Sequence, residues 1–262
     1  MIRACIFDLG GTLVDRYSLT PLLSLKETFS RKGIFVTNQS ILKDMGKSKK
    51  DHIQHILKKE YVHDHWTFQY GKAPDTNDID LLFNDFNEIQ KKRCDDIMDV
   101  LPETEKTIQY LQNNKIFSGC TTGFDKGNMA LIQRKLNYRG IHLDTYVSSS
   151  CLGKPSRPNP SMIFENIAHF NINDTKQVIK IDDTNVGILE GKKANCWTVA
   201  VARWSVNMNI QSIDEAYSLS DYETSGKLIQ CKKELMKSNP DFLISTLDEL
   251  PHVIQTIHNY QE

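Results

Sequence analysis

Ile6-Phe7-Asp8-Leu9-Gly10-Gly11-Thr12-Leu13-Val14-Asp15 decides how the chain is read. The apolar run from Ala4 to Phe7 drives into a single carboxylate and then into a Gly-Gly-Thr turn. A short continuous apolar run bounded by turn residues is the pattern of a strand buried on both faces of a parallel sheet. Open α/β sheets bind their ligands beyond the carboxyl ends of the strands, which is where Asp8 falls. Gly10 matters as much as Asp8, because it leaves no side chain two residues beyond that acid.

Further apolar runs at 116–121, 177–181 and 197–202 look like companion strands, with shorter candidates at 241–244 and 144–147. Turn residues and a helical pattern follow the main runs; 103–113 precedes the second run, and 246–258 follows the 241–244 candidate. Strands alternating with helices imply right-handed crossovers and a parallel sheet. The segment from about residue 19 to 98 differs. Leu22, Leu25 and Phe29, then Ile53, Ile56 and Leu57, then Leu81, Leu82, Phe86 and Ile89 recur at helical spacing. The expectation is an α/β fold: a doubly wound parallel-sheet core from residues 1–17 and 99–262, with an inserted helical cap domain at 18–98.

Composition excludes several classes. A length of 262 residues, 39% hydrophobic and 25% charged, suits a globular protein. A net charge of -1 gives no support to nucleic-acid or membrane-surface binding. No run is apolar enough for a bilayer span, and no leader precedes the first strand, so a cytoplasmic protein is expected. The six cysteines have no Cys-x-x-Cys spacing and read as reduced thiols. His63 and His65 read as solvated side chains, and the lysines of 227–237 as a solvated helix face. Trp66, Phe68 and Tyr70 alternate as in a strand, but cap packing or a dimer surface is the preferred reading.

Four strand-end loops now carry a resemblance. They are Asp8-Leu9-Gly10-Gly11-Thr12, Cys120-Thr121-Thr122-Gly123, Arg157-Pro158-Asn159-Pro160 and Ile181-Asp182-Asp183-Thr184. In this order, each after a candidate strand, they resemble the haloacid dehalogenase superfamily over nearly the whole chain. The resemblance implies Asp8 as nucleophile toward a phosphoryl group, and Arg157 as the third-loop cation with Lys154 as a rival. It also implies Mg²⁺ on Asp8, Asp183 and the Gly10 carbonyl. Gly11, Thr12, Thr122 and Gly123 would bind phosphoryl oxygens. The chemistry agrees, since a carboxylate attacking a dianion needs cations to offset the charge.

Phosphatases of that superfamily carry an acid where Gly10 stands. The phosphonoacetaldehyde hydrolases have a small residue there, and a lysine in the cap. Met45-Gly46-Lys47-Ser48-Lys49-Lys50-Asp51-His52 resembles their cap segment. It implies Lys49 as a Schiff-base lysine with His52 and Met45 as neighbours, a small phosphonate as substrate, and a homodimer through the cap. An iminium on Lys49 accepts electrons from the breaking carbon–phosphorus bond, which removes the need for an acid at position 10. The amine must be neutral to attack, and Lys47, Lys50 and cap closure are expected to depress its pKa. Gly187 departs from the pattern, since a second acid is usual there, and Asp182 is a partial substitute. Ser18 and Phe124 stand where cysteine and tyrosine are usual. Alternatives at this point are a phosphatase or related hydrolase on another small phospho-compound, and a catalytically impaired phosphate-binding homologue.

Overall fold

The structure is a computed structural model describing residues 1–153 and 155–261. Six parallel strands form one sheet in the order β3-β2-β1-β4-β5-β6. They are β1 (Ala4–Phe7), β2 (Phe117–Thr122), β3 (Thr145–Ser148), β4 (Val178–Asp182), β5 (Trp197–Val201) and β6 (Phe242–Ile244). The 144–147 and 241–244 candidates are therefore both strands, and the runs expected at 116–121, 177–181 and 197–202 shift by about one residue. From β1 the chain winds outward through β2 to β3, then returns beside β1 at β4 and winds the other way. The switch lies between β1 and β4, where a doubly wound sheet opens its crevice.

Register puts the chemistry in that crevice. Phe7 pairs with Cys120 on one side and with Ile181 on the other. The next rung is Asp8 with Thr121 and Asp182. Two apolar layers hold the sheet from opposite faces. Phe7, Cys5, Ile179 and Ile181 pack on Leu111, Ile132 and Ile254, while Ala4, Ile6 and Val178 pack on Ile163 and Ile167.

The segment after β1 carries α1 (Leu19–Ser30), α2 (Asn38–Leu42), α3 (Lys49–Leu57), α4 (Glu60–Tyr70) and α5 (Thr76–Ile97), ahead of the helix that leads into β2. Their buried faces are Leu22, Leu25 and Phe29, then Ile53 and Ile56, then Leu82 and Phe86, as the spacing predicts. Leu81 instead faces outward, 58% exposed. Trp66, Phe68 and Tyr70 lie on α4, not on a strand. Trp66 is buried and Phe68 is 88% exposed, one face in and one out. The apolar cluster of these helices continues into Ala200, Ala202, Val206 and Met208 beyond β5. That continuity seats the insertion against the carboxyl end of the sheet.

The remaining helices are α6 (Thr104–Asn113), α7 (Lys126–Tyr138), α8 (Ser149–Leu152), α9 (Ser161–His169), α10 (Asn185–Lys193), α11 (Ile213–Ser218), α12 (Asp221–Leu235) and α13 (Leu250–Gln261). No described helix is long and apolar enough to cross a membrane. Cys5, Cys94, Cys120, Cys196 and Cys231 are buried free thiols, and burial pushes the last four up to about 12.

Candidate active site

Asp8 leaves β1 at the switch point and is 7% exposed. Asp182 ends β4 and Asp183 follows it, both fully buried. One carboxylate oxygen from each of Asp8, Asp182 and Asp183 lies within 4.8 Å of the others. Gly11 lets the loops approach this closely. Its φ is +73°, and a Cβ there would overlap the Asp183 carboxylate. Asp183 accepts a hydrogen bond from the Val206 N–H at 3.0 Å and lies 3.4 Å from the Thr12 hydroxyl.

Two buried cations answer these acids. Arg157 Nη1 donates to Asp8 Oδ1 at 2.7 Å, and its Nη2 donates to the carbonyl and hydroxyl oxygens of Thr121. Its Nε lies 2.9 Å from Glu190 Oε2. Lys180, inside the β4 run, lies 2.9 Å from Asp182 Oδ2 and donates to Thr121 Oγ1 at 2.9 Å. Thr121 Oγ1 in turn donates to Glu190 Oε2 at 3.1 Å. Asp8, Asp182, Asp183 and Glu190 are four buried carboxylates against the two cations Arg157 and Lys180. Burial, then the charges of Asp182 and Asp8, push the Asp183 carboxyl well above the usual carboxylate range. Burial also raises Asp8 despite the opposing pull of Arg157. At Asp182 burial acts upward, but Lys180 and Arg157 outweigh it and hold the carboxyl low. An oxygen-only donor set of crowded carboxylates, Asp8, Asp182 and Asp183, fits a hard divalent cation such as Mg²⁺.

Lys49 enters from the insertion. The Ser48 hydroxyl accepts from the Asp51 N–H and starts α3, so Lys49 is the first residue of that helix. Its side chain is 4% exposed, with Nζ 3.8 Å from Met45 Sδ and 5.7 Å from the centre of the Phe124 ring. Burial brings its amine down to about 8, Arg157 acting with burial and Asp8 and Asp15 against it. The expected contribution of Lys47 and Lys50 is absent, because Lys47 pairs with Asp44 and Lys50 with Asp80. Asp8, Gly10, Ser18, Met45, Lys49 and Thr122 line one chamber of about 20 Å³, which Gly123 and Phe124 also border. That is room for about one water molecule, so the insertion packs close to Asp8.

Other expected site residues fall differently. Arg157 is 3% exposed and bonds Asp8, with Thr121 and Glu190 holding the rest of its guanidinium. The Gly11 N–H donates to the Val14 and Asp15 carbonyls and is not free for a phosphoryl oxygen. The Thr122 hydroxyl accepts from the Phe124 N–H at 3.2 Å while lining the chamber. His52 is fully buried with Nε2 2.8 Å from the Ile41 carbonyl oxygen, and its Nδ1 has no partner. Burial and the nearby Lys49 charge bring it down to about 3, so it is neutral. His63 and His65 lie partly exposed on α4. Lys154 lies outside the described residues. Thr121, Lys180, Glu190 and Asp15 were not among the residues the sequence reading selected. Lys180 carried a signal, a charge inside the otherwise apolar run Val178-Ile179-Lys180-Ile181.

The profile of the haloacid dehalogenase-like hydrolases matches residues 5–201. The chain is 33% identical to the phosphonoacetaldehyde hydrolase of Psychromonas ingrahamii, over 98% of this chain and 87% of that one. It is 28% identical to a bifunctional phosphonoacetaldehyde hydrolase/aminoethylphosphonate transaminase of Clostridioides difficile. That match takes in 98% of this chain but spans only 40% of the relative's length. A crystal structure of a phosphonoacetaldehyde hydrolase-like protein from Oleispira antarctica superimposes with a TM-score of 0.92 at 26% identity, covering 98% of this chain and 93% of that one. On these matches the chain belongs to the haloacid dehalogenase-like hydrolases, in the phosphonoacetaldehyde hydrolase family.

Proposed function

We propose that the chain hydrolyses the carbon–phosphorus bond of phosphonoacetaldehyde, giving acetaldehyde and phosphate. The observation that carries this reading is that Lys49, buried and with a depressed pKa, lines the same small chamber as Asp8. A phosphate ester needs no amine there, whereas an aldehyde does. The Lys49 amine adds to the aldehyde carbon, and loss of water leaves an iminium. An Asp8 oxygen then attacks phosphorus. The electron pair of the carbon–phosphorus bond moves into the iminium as an enamine, while Asp8 becomes an aspartyl phosphate. Protonation of the enamine carbon and addition of water release acetaldehyde from Lys49, and a second water frees phosphate from Asp8.

Asp8, Asp183 and the Gly10 carbonyl, joined by Asp182, are the groups proposed to hold Mg²⁺, which when bound offsets charge on the phosphonate oxygens. Arg157 fixes one Asp8 oxygen, leaving the other to attack. Met45 packs against the amine, and Thr122 with the Gly123 backbone supplies polar contacts to the phosphonate. His52 backs α3 through Ile41 and stays neutral near the amine. Gly10 carries no acid, and none is needed where the leaving group departs as an enamine.

Borohydride reduction during turnover tests the reading. A stable adduct should form on Lys49 with phosphonoacetaldehyde, and Lys49→Ala should form none and release no phosphate. Unimpaired phosphate release by Lys49→Ala would sink the Schiff-base route.

A further inference from the structure

A hydrogen bond on one carboxylate oxygen crosses from the amine-bearing helix to the core. Asp51 stands in the first turn of α3, two residues beyond Lys49. Its Oδ2 accepts from the Ser48 hydroxyl at 2.7 Å, and the Ser48 oxygen accepts from the Asp51 N–H at 3.2 Å. These two bonds fix the turn on which Lys49 sits and complete the cap of α3. The same Oδ2 also accepts from the Ser156 hydroxyl at 2.5 Å. Ser156 belongs to the core, on the loop ahead of α9. The helix needs no such bond for its own start, so the Ser156 contact serves something other than capping.

Ser156 is tied in turn to the nucleophile. Its carbonyl accepts from the Asn159 N–H at 3.0 Å, closing a turn whose second residue is Arg157. Arg157 donates to Asp8 at 2.7 Å. A path therefore runs Ser48–Asp51–Ser156–Arg157–Asp8, from the residue before Lys49 to the acid at the end of β1. One link is the Ser156–Arg157 peptide bond, and the others are hydrogen bonds. Within this path the Asp51–Ser156 bond is the step from insertion to core. It borders a cleft of about 310 Å³ that shares Lys49, Gly123 and Phe124 with the chamber. Ser48, Asp51 and Ser156 are all half-buried there. A hydroxyl donating to a carboxylate makes a short, strong hydrogen bond, well suited to holding a distance.

We propose that the Asp51–Ser156 hydrogen bond is a positioning contact for carbon–phosphorus cleavage, holding Lys49 in register with Asp8. The proposal rests on the Schiff-base reading above. Two steps of that reading make different demands. Addition of the Lys49 amine to an aldehyde uses a residue of the insertion and does not use Asp8. Cleavage needs an Asp8 oxygen in line with a phosphorus whose carbon is tethered through the iminium to Lys49. One nucleophile then comes from the insertion and the other from the core, and any error between them falls on the reacting atoms. A misplacement of about 1 Å can slow such a step by about 10²-fold. Neither Asp51 nor Ser156 lines the chamber, so both act through Lys49 and Arg157.

Ser156→Ala tests this, because it removes the crossing bond and keeps the Ser48–Asp51 turn. Two rates are read on the variant, with thermal unfolding to show that it is folded. One is borohydride trapping on Lys49 with acetaldehyde, which carries no phosphorus. The other is phosphate release from saturating phosphonoacetaldehyde. The expected result is trapping within about twofold of wild type and phosphate release slower by about 10-fold or more. The double variant Asp51→Ala/Ser156→Ala should release phosphate no more slowly than Asp51→Ala, since the two side chains act through one bond. Phosphate release at the wild-type rate, a parallel fall in both rates, or fully additive losses in the double variant overturns the positioning role and leaves the Schiff base standing. No adduct in wild-type protein with either aldehyde overturns the Schiff-base reading and this proposal with it.

Discussion

The Asp182 carboxylate fills the space in which a side chain at Gly187 would begin. A Cβ added at 187 would overlap both oxygens and the carboxyl carbon. The carboxylate cannot step aside. Its Oδ1 accepts from the Thr184 N–H at 2.9 Å and the Thr184 hydroxyl at 2.7 Å, and Lys180 faces Oδ2. The same Thr184 hydroxyl caps α10 by accepting from the Gly187 N–H. An acid at the end of β4 and a glycine in the first turn of α10 are therefore one feature.

Gly187→Ala decides whether this interlock governs stability. Replacing a helical glycine with alanine ordinarily gains up to about 1 kcal/mol. Here the overlap with a pinned carboxylate should reverse the sign. The expected result is a loss of about 1–3 kcal/mol, the usual range for overpacking, read by urea denaturation with an unchanged m-value. A more stable variant would show that the strand end yields easily.

Divalent metal should act mainly through charge. Mg²⁺ at millimolar concentration is expected to raise the Tm near pH 7, because it binds the folded carboxylates and not the unfolded chain. Asp183→Asn should abolish that rise while leaving the metal-free protein as stable as wild type or more so. It removes the carboxyl that Asp182 and Asp8 repel most strongly. A full Mg²⁺-dependent shift in Asp183→Asn would place the cation elsewhere.

Arg157→Lys separates charge from geometry. The guanidinium meets Asp8, Thr121 and Glu190 in three directions, which one ammonium cannot reproduce. Leaving Glu190 or Asp8 without its partner in a buried site costs on the order of 3–5 kcal/mol. The variant should show a large drop in unfolding free energy, and any folded fraction should turn over slowly. Near-native stability would mean that Lys180 alone can hold Glu190, from its present 3.7 Å.

Much of this was legible along the chain because local pattern and tertiary role coincide. Ala4–Phe7 reads as a buried strand and is one, and Asp8 and Asp183 follow strand ends directly. Lys49 was legible through its flanks, Met45-Gly46 and Asp51-His52, which carry the resemblance. The charged layer beneath the nucleophile was harder to read. Thr121, Lys180 and Glu190 lie on three separate elements and meet only once β2 and β4 flank β1. Arg157 was read as the third-loop cation, and its further bonds to Thr121 and Glu190 were not legible from spacing. Of the two expected sources of the Lys49 shift, burial under the insertion is present and the neighbouring charges are not. The adjacent lysines are neutralised by Asp44 and Asp80, and burial takes over.

The Lys49 shift makes a prediction with a definite sign. Burial brings the folded amine down to about 8, against about 10.5 for an unperturbed lysine. Between these values the unfolded chain holds a proton that the folded chain has released. Stability therefore rises with pH across that window, by on the order of 3 kcal/mol for this one group. Below about pH 8 both states are protonated and the contribution stays flat. Lys49→Met keeps a long apolar stem and has no proton to lose. Urea denaturation at pH 7.5 and pH 10 should thus show less stabilisation with pH in Lys49→Met than in wild type. The difference between the two proteins isolates Lys49 from other groups that titrate at high pH. Equal slopes would mean that the buried amine keeps its ordinary pKa, and that a neutral nucleophile must then be made by the substrate-bound state.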